Sequence, residues 1–187
     1  MSLPLLTSDD LLITQTKAFM RNEYSIVDAT GTLVGETRQD LALRDLLRSS
    51  RSLIVSAGDT TVLRVSDPVN LLRDSYEVHL EGSDRPLATI RARISLLRER
   101  FTLTMDGLPD IDIEGSVWRW NFTMTSQGRP VARVDNAWPG AGNYLIGKNS
   151  YHLGMEAGLA EHHHAALLGA TLCLDLARKK RRAAASS

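Results

Sequence analysis

Residues His164–Arg182 read "HAALLGATLCLDLARKKRR", an apolar run that closes in five consecutive basic residues. Between Ala165 and Leu176 the only charge is Asp175. A helix over this run is roughly 18 Å long, whereas about 20 residues are needed to cross roughly 30 Å of hydrocarbon. It is too short to span. Around a helical wheel Leu167, Leu168, Ala170, Leu172, Cys173, Leu174 and Leu176 fall on every side, while a surface helix is apolar along one stripe. The segment therefore has to be covered all round, and we expect a helix from about His164 to Arg178 at the centre of the fold. The cations that follow complement the negative end of the helix dipole and mark the exit into water.

What covers such a helix is legible in the rest of the chain. In "NEYSIVDATGTLVGETRQ", Tyr24 and Ile26 alternate before the turn Asp28–Gly31, and Leu33 and Gly35 follow. The pattern recurs with Tyr76, Val78 and Leu80, the turn "EGSDRP", then Leu87 and Thr89. It recurs again with Trp118, Trp120, Phe122 and Met124, the turn "TSQGRP", then Val131 and Arg133. Strand, polar turn, strand is hairpin grammar, and its repetition predicts a meandering antiparallel sheet. Further strands are expected at Leu11–Phe19, Leu53–Val55, Thr61–Val65, Arg100–Met105 and Asn143–Gly147. The stretch "QDLALRDLLRSSRSL" places Leu43, Leu46 and Leu47 on one side of a helix. A closed antiparallel sheet supplies apolar cover in every direction and leaves no free edge. The fold expected is mainly β, a closed barrel around the buried C-terminal helix. It is expected as one domain over residues 1–182 with a flexible tail at 183–187.

The 187 residues carry 22 basic and 22 acidic side chains, so no net field draws the chain to nucleic acid or lipid, and any such attraction is local. The start "MSLPLLTSDD" has no basic segment ahead of its acids, which argues against a secretory signal. Cys173 is the only cysteine, which fits a cytoplasmic protein without disulfides.

Residues Tyr24, Ile26, Asp28, Gly31, Val34 and Gly35, together with Trp118, Phe122, Gly128, Val131, Ala132, Val134 and Trp138, form a pattern that resembles the Tubby C-terminal-like superfamily. The likeness is closest to its LURP-one-related and phospholipid-scramblase-like members and extends from about Leu11 to Arg178. It implies twelve strands around the helix, with phosphoinositide binding and membrane association among the superfamily's functions. The palmitoylation-type cysteine cluster and acidic calcium segment of eukaryotic scramblases have no counterpart here.

Three groups of residues are candidates for chemistry. The cluster Glu161, His162, His163 and His164, with His152 and Glu156 upstream, has ligand-type side chains, but consecutive histidines point in different directions. It reads as a first helical turn at the barrel mouth, with metal binding or catalysis there as the alternative. The run Arg178, Lys179, Lys180, Arg181 and Arg182 is suited to anionic head groups or to a solvated helix end. It lacks the interleaved aromatics that nucleic-acid stacking requires. Arg91 and Arg93 share one strand face and offer guanidinium groups to an anion, or pair with acids of a neighbouring strand. Asp110, Asp112 and Glu114 line an acidic face over buried Ile111 and Ile113. No nucleophile elbow, phosphate loop or dinucleotide fingerprint is present. The expectation is a non-enzymatic binding module without cofactor or resident metal. It would dock on an anionic phospholipid, a phosphoinositide or a protein partner, with no nucleic acid and no transmembrane span, in the cytoplasm or peripheral at the membrane.

Overall fold

The computed structural model describes residues 2–17, 23–40, 51–67, 75–93, 100–136 and 150–185. Twelve strands run β1 (Asp10–Lys17), β2 (Glu23–Asp28), β3 (Leu33–Asp40), β4 (Arg51–Ala57), β5 (Thr60–Asp67), β6 (Ser75–Leu80), β7 (Ala88–Arg93), β8 (Arg100–Thr104), β9 (Ile111–Ser116), β10 (Asn121–Ser126), β11 (Arg129–Asp135) and β12 (Ser150–Met155). Each pairs antiparallel with its neighbours in sequence, and β1 pairs with β12 to close the barrel. The closing register sets Leu11 opposite Leu153 and Ile13 opposite Tyr151, all four buried. Helix α1 (Glu161–Ala185) runs through the barrel. Every residue from His164 to Ala177 is buried.

Strands spaced about 4.8 Å apart and tilted roughly 40° give twelve of them a radius of about 12 Å, room for a helix backbone plus one layer of interlocking side chains. The helix lies closest to β5, β6, β7 and β12. Gly169 makes that approach possible, because a Cβ there would sit 2.5 Å from Val78 Cγ1 and 2.6 Å from Cγ2. The buried Thr171 hydroxyl is satisfied by donating to Leu167 O at 2.8 Å, within the helix. Cys173 is fully buried, and burial followed by the negative charge of Asp67 pushes its thiol well above the usual range. A short 3-10 turn, Pro4–Leu6, packs Leu5 and Leu6 into the core beside α1.

The helix is longer than the expected His164–Arg178. Glu161 opens it, where a carboxylate favours the positive dipole end. Beyond Ala177 the Arg, Lys and Ala residues are strong helix formers, so the backbone stays helical through the basic run. Among the described residues no helix is long and apolar enough to cross a membrane.

The three hairpins form where expected, with one systematic difference. The outgoing strands bury Tyr24 and Ile26, Tyr76 and Val78, and Phe122 and Met124. On the return Gly35 is buried opposite Ile26 as expected, with Val34 buried beside it, while the buried Ala88 with Ile90 and Ala132 with Val134 lie one position off the expected Leu87, Thr89, Val131 and Arg133. Leu33 is 55% exposed. Pairing decides this. Residues directly opposite share a face, so Val78 opposite Ala88 and Tyr76 opposite Ile90 fix the inward set of β7. Bulges between Ile26 and Val27 and between Met124 and Thr125 shift the other two hairpins by a residue. Pro130 sits beside the second of these, where its missing N–H costs least. The turn itself has Gln127 at φ 49° and Gly128 at φ 77°, the paired left-handed conformation of a tight hairpin.

Trp118 does not continue a strand through Trp120 as the alternation suggests. Val117–Arg119 is a 3-10 turn, Trp120 caps it in the left-handed region at φ 53°, and β10 begins only at Asn121. Of the stretch 39–53 expected as helical, Gln39 and Asp40 end β3 and Arg51 to Leu53 open β4, because these residues pair across the sheet, while Leu43, Leu46 and Leu47, like the expected strand at Asn143–Gly147, lie outside the described residues.

A Gly169→Ala substitution should destabilise the fold by about 1–3 kcal/mol through overpacking against Val78. In a Val78→Ala background the same step should be neutral or stabilising by up to about 1 kcal/mol, the helix-propensity gain. Urea denaturation of the four proteins of this cycle measures the difference.

Candidate functional site

The candidate residues separate onto two ends and one wall of the barrel. At the end where α1 emerges, three cations lie against three aromatic rings. The Arg178 guanidinium is 5.1 Å from the centre of the Trp120 ring, and Arg181 is 4.7 Å from that of Trp118. Lys179 Nζ lies 4.5 Å from the Tyr24 ring centre and donates to the Tyr24 hydroxyl. Lys179 also forms an ion pair of 3.0 Å with Asp175, one turn earlier and itself buried. Trp120 is positioned by its left-handed cap and by stacking on Tyr151, with ring centres 3.7 Å apart and 12° between planes. Burial drives the Tyr151 phenol far above its usual range, the Arg178 charge opposing it, so the hydroxyl is neutral at every ordinary pH.

The basic run is thus divided by the helical period. Arg178 and Lys179 are half-buried and turned onto the barrel's aromatic rim, whereas Arg181 is exposed while stacked on Trp118. The side chains of Lys180 and Arg182 lie outside the described residues. The rings that receive these cations are visible in the sequence only as strand residues, because nothing in their spacing ties Tyr24 to a lysine 155 positions away.

On the wall, Arg91 and Arg93 point outward from β7 as expected. Arg93 pairs with Asp112 of β9 at 3.4 Å, and Arg100 of β8 pairs with Glu114 at 3.3 Å. Asp112 also accepts from the Thr102 hydroxyl at 3.5 Å. Ile111 and Ile113 are buried between these acids, so "DIDIE" is an acidic outer face. Arg91 lies opposite Thr102 and Ser75 and makes no ion pair among the described residues. Arg98 lies outside the described residues. Arg91 and Arg93 thus share one outward face of the wall.

The histidines occupy the opposite end. Glu161 to His164 form the first turn of α1, as the sequence suggests. His164 is buried and its Nε2 lies 3.1 Å from Asp9 Oδ1, which ties the helix start to the start of β1. On the outer face His152 Nε2 lies 2.7 Å from Asp10 Oδ1, and Gly154 leaves the space the imidazole covers. These Asp–His pairs join residues 155 and 142 positions apart, beyond any sequence pattern. His162 is exposed and His163 part-buried, with ring centres 4.3 Å apart. Among the described residues no three His, Cys, Asp or Glu side chains gather as a metal site.

The sequence profile of the LURP-one-related family matches residues 9–175, nearly the whole barrel and the buried part of α1. The chain belongs to the LURP-one-related family. No curated protein matches it.

Two measurements check these roles. Arg178→Ala should cost about 1 kcal/mol or more of stability, since its cation–π contact is partly desolvated, whereas Arg93→Ala should change stability by less than about 1 kcal/mol because both partners are half exposed. His163 titrates below the usual histidine range, chiefly through burial and then through the neighbouring His162 and His164. The unfolded ring, with a pKa near 6.5, takes up a proton that the folded ring resists, so this residue lowers stability as pH falls below about 6.5. Urea denaturation at pH 7.5 and pH 5.5 should show a smaller acid loss in His163→Gln than in the parent chain.

Proposed function

From its place in the LURP-one-related family, we propose that this protein is a non-enzymatic binding module that docks on anionic phospholipid with the helix-exit end of its barrel. One observation carries the reading: α1 is locked inside the barrel, and its cations are delivered together at one rim beside Trp118, Trp120 and Tyr24. A cation near an anionic bilayer contributes about 1 kcal/mol. Several held on one rigid helix end pay little ordering entropy on docking. Guanidinium groups add bidentate hydrogen bonds to phosphate, and tryptophan is suited to the head-group layer. Arg181 is exposed, with its guanidinium over the Trp118 ring.

The division within the basic run refines which residues act. Lys179 is neutralised by Asp175 and bound to Tyr24, so it serves the fold more than the surface. Lys180, Arg181 and Arg182 carry the contact, and Arg91 with Arg93 forms a second, weaker basic strip in which Arg93 already has an acid partner. The likeness to Tubby C-terminal-like and scramblase-like proteins, a superfamily that includes phosphoinositide binders, supports the same reading. On this reading the protein works in the cytoplasm, at the membrane periphery.

Co-sedimentation with neutral, phosphatidylserine-containing and phosphoinositide-containing vesicles tests it. The chain should pellet with anionic vesicles only and weaken as salt rises. A Lys180→Gln, Arg181→Gln, Arg182→Gln variant should lose about two decades of affinity at about 1 kcal/mol per charge. An intact chain that stays in solution with every vesicle at low salt overturns the proposal.

A further inference from the structure

A groove of about 360 Å³ crosses the outer wall over β1 to β5, and Tyr24, which Lys179 contacts, is part of its lining. Its lining includes Thr16, Glu36, Arg38, Ser56 and Thr61, with Asp59 in the turn between β4 and β5. Three register shifts fall in this sector, between Gln15 and Lys17, Ile26 and Val27, and Val55 and Ser56. Each bulge bends its strand and raises the local twist, which hollows a wall that would otherwise be convex.

Two charges in the groove lack the same-strand partner that comparable positions elsewhere on the wall have. Opposite charges two apart on one strand share a face and reach each other. Arg133 and Asp135 of β11 pair in this way at 2.8 Å, as do Glu77 and His79 of β6 at 3.0 Å. Glu36 and Arg38 of β3 have the same spacing and both are exposed, yet among the described residues they form no ion pair. Asp59, in the turn between β4 and β5, likewise has none among the described residues. One guanidinium, Arg38, and three carboxylates, Glu23, Glu36 and Asp59, therefore line the cavity together with the Thr16, Ser56 and Thr61 hydroxyls, and of the three carboxylates Glu23 is already engaged within the protein.

We propose that this groove binds a small zwitterion with an ammonium and a phosphate joined by a short spacer, the phosphoethanolamine type, on charges other than the helix-end cations, although Tyr24 borders both places. Arg38 receives the phosphate through its planar fork, and the Ser56 and Thr61 hydroxyls supply donors for the remaining phosphate oxygen, which a carboxylate ligand would leave unused, while the Thr16 hydroxyl already donates to Glu23 O at 3.2 Å. Glu36 and Asp59 receive the ammonium. A purely anionic ligand meets these carboxylates unpaired, and a purely cationic one meets Arg38, so the mixed charge selects against both.

Titration calorimetry with O-phosphoethanolamine tests the site, with inorganic phosphate alone and ethanolamine alone as comparisons. Saturable one-to-one binding is expected, with each half-ligand weaker by about tenfold or more, since each loses a charge-assisted contact. Arg38→Gln and Glu36→Gln should each weaken phosphoethanolamine by about tenfold, while Arg133→Gln and the Lys180, Arg181, Arg182 triple variant should bind as the parent does. Phosphatidylethanolamine in phosphatidylcholine vesicles identifies the source: Arg38-dependent pelleting means a lipid head group, and binding of the soluble compound alone means a free metabolite. Absence of saturable binding, inorganic phosphate binding as tightly as the zwitterion, or full affinity in Arg38→Gln overturns the proposal. Loss of vesicle docking in the triple variant leaves this result untouched, so the two readings fail separately.

Discussion

A helix that is apolar on every side cannot rest on a surface, and the architecture follows from that constraint. From His164 to Ala177 each residue is buried, so cover must come from all directions at once. An open sheet covers one face of a helix and a second layer covers another, but only closure covers all of them without exposing strand edges. An even number of antiparallel strands closes by simple succession, and twelve give an interior of about the size one helix and its surrounding side chains require. Gly169 against Val78 shows how little slack remains, since a single methyl group at the closest approach has nowhere to go.

The same constraint explains why the fold was legible in the sequence and where legibility stopped. An all-round apolar run and repeated hairpins are local patterns, and they were enough to infer a barrel around a C-terminal helix. The phase of the returning strands was not local. Whether Leu87 or Ala88 faces inward depends on which residue lies across the ladder, and a bulge of one residue reverses every side chain beyond it. The helix ends were missed for a related reason: a polar, charged continuation has no apolar signal, although Arg, Lys and Ala propagate a helix well. The strand β12 has no clean alternation because His152 and Gly154 break its pattern, and His152 is held there by Asp10 on the neighbouring strand.

The candidate site was legible as a set of residue types and much less as an arrangement. The basic run could be read as charge, but its partition was set by aromatic residues from β2 and the turn before β10, far away in sequence. The histidine cluster could be read as a first helical turn, but its partners Asp9 and Asp10 come from the other end of the chain. Alternation in "DIDIE" did reveal a buried isoleucine pair under an acidic face, because there the local pattern and the tertiary environment agree.

These contacts give the barrel two chemically distinct ends. At the entrance Glu161 lies in the first turn and Asp9 contacts His164 beside the positive end of the helix dipole, while at the exit the cations of the basic run accompany its negative end. Both arrangements stabilise the helix orientation inside the barrel, and neither needs a ligand to be satisfied. With the interior occupied by packed side chains, recognition by this fold is displaced to its rims and outer wall, where sequence can change without disturbing the cover over α1. That is why the exposed residues of the exit rim and the open charges of the β1–β5 groove, rather than the most buried polar groups, are where binding is to be sought. The buried groups are already committed: Asp175 to Lys179, Thr171 to its own helix, and His164 to Asp9.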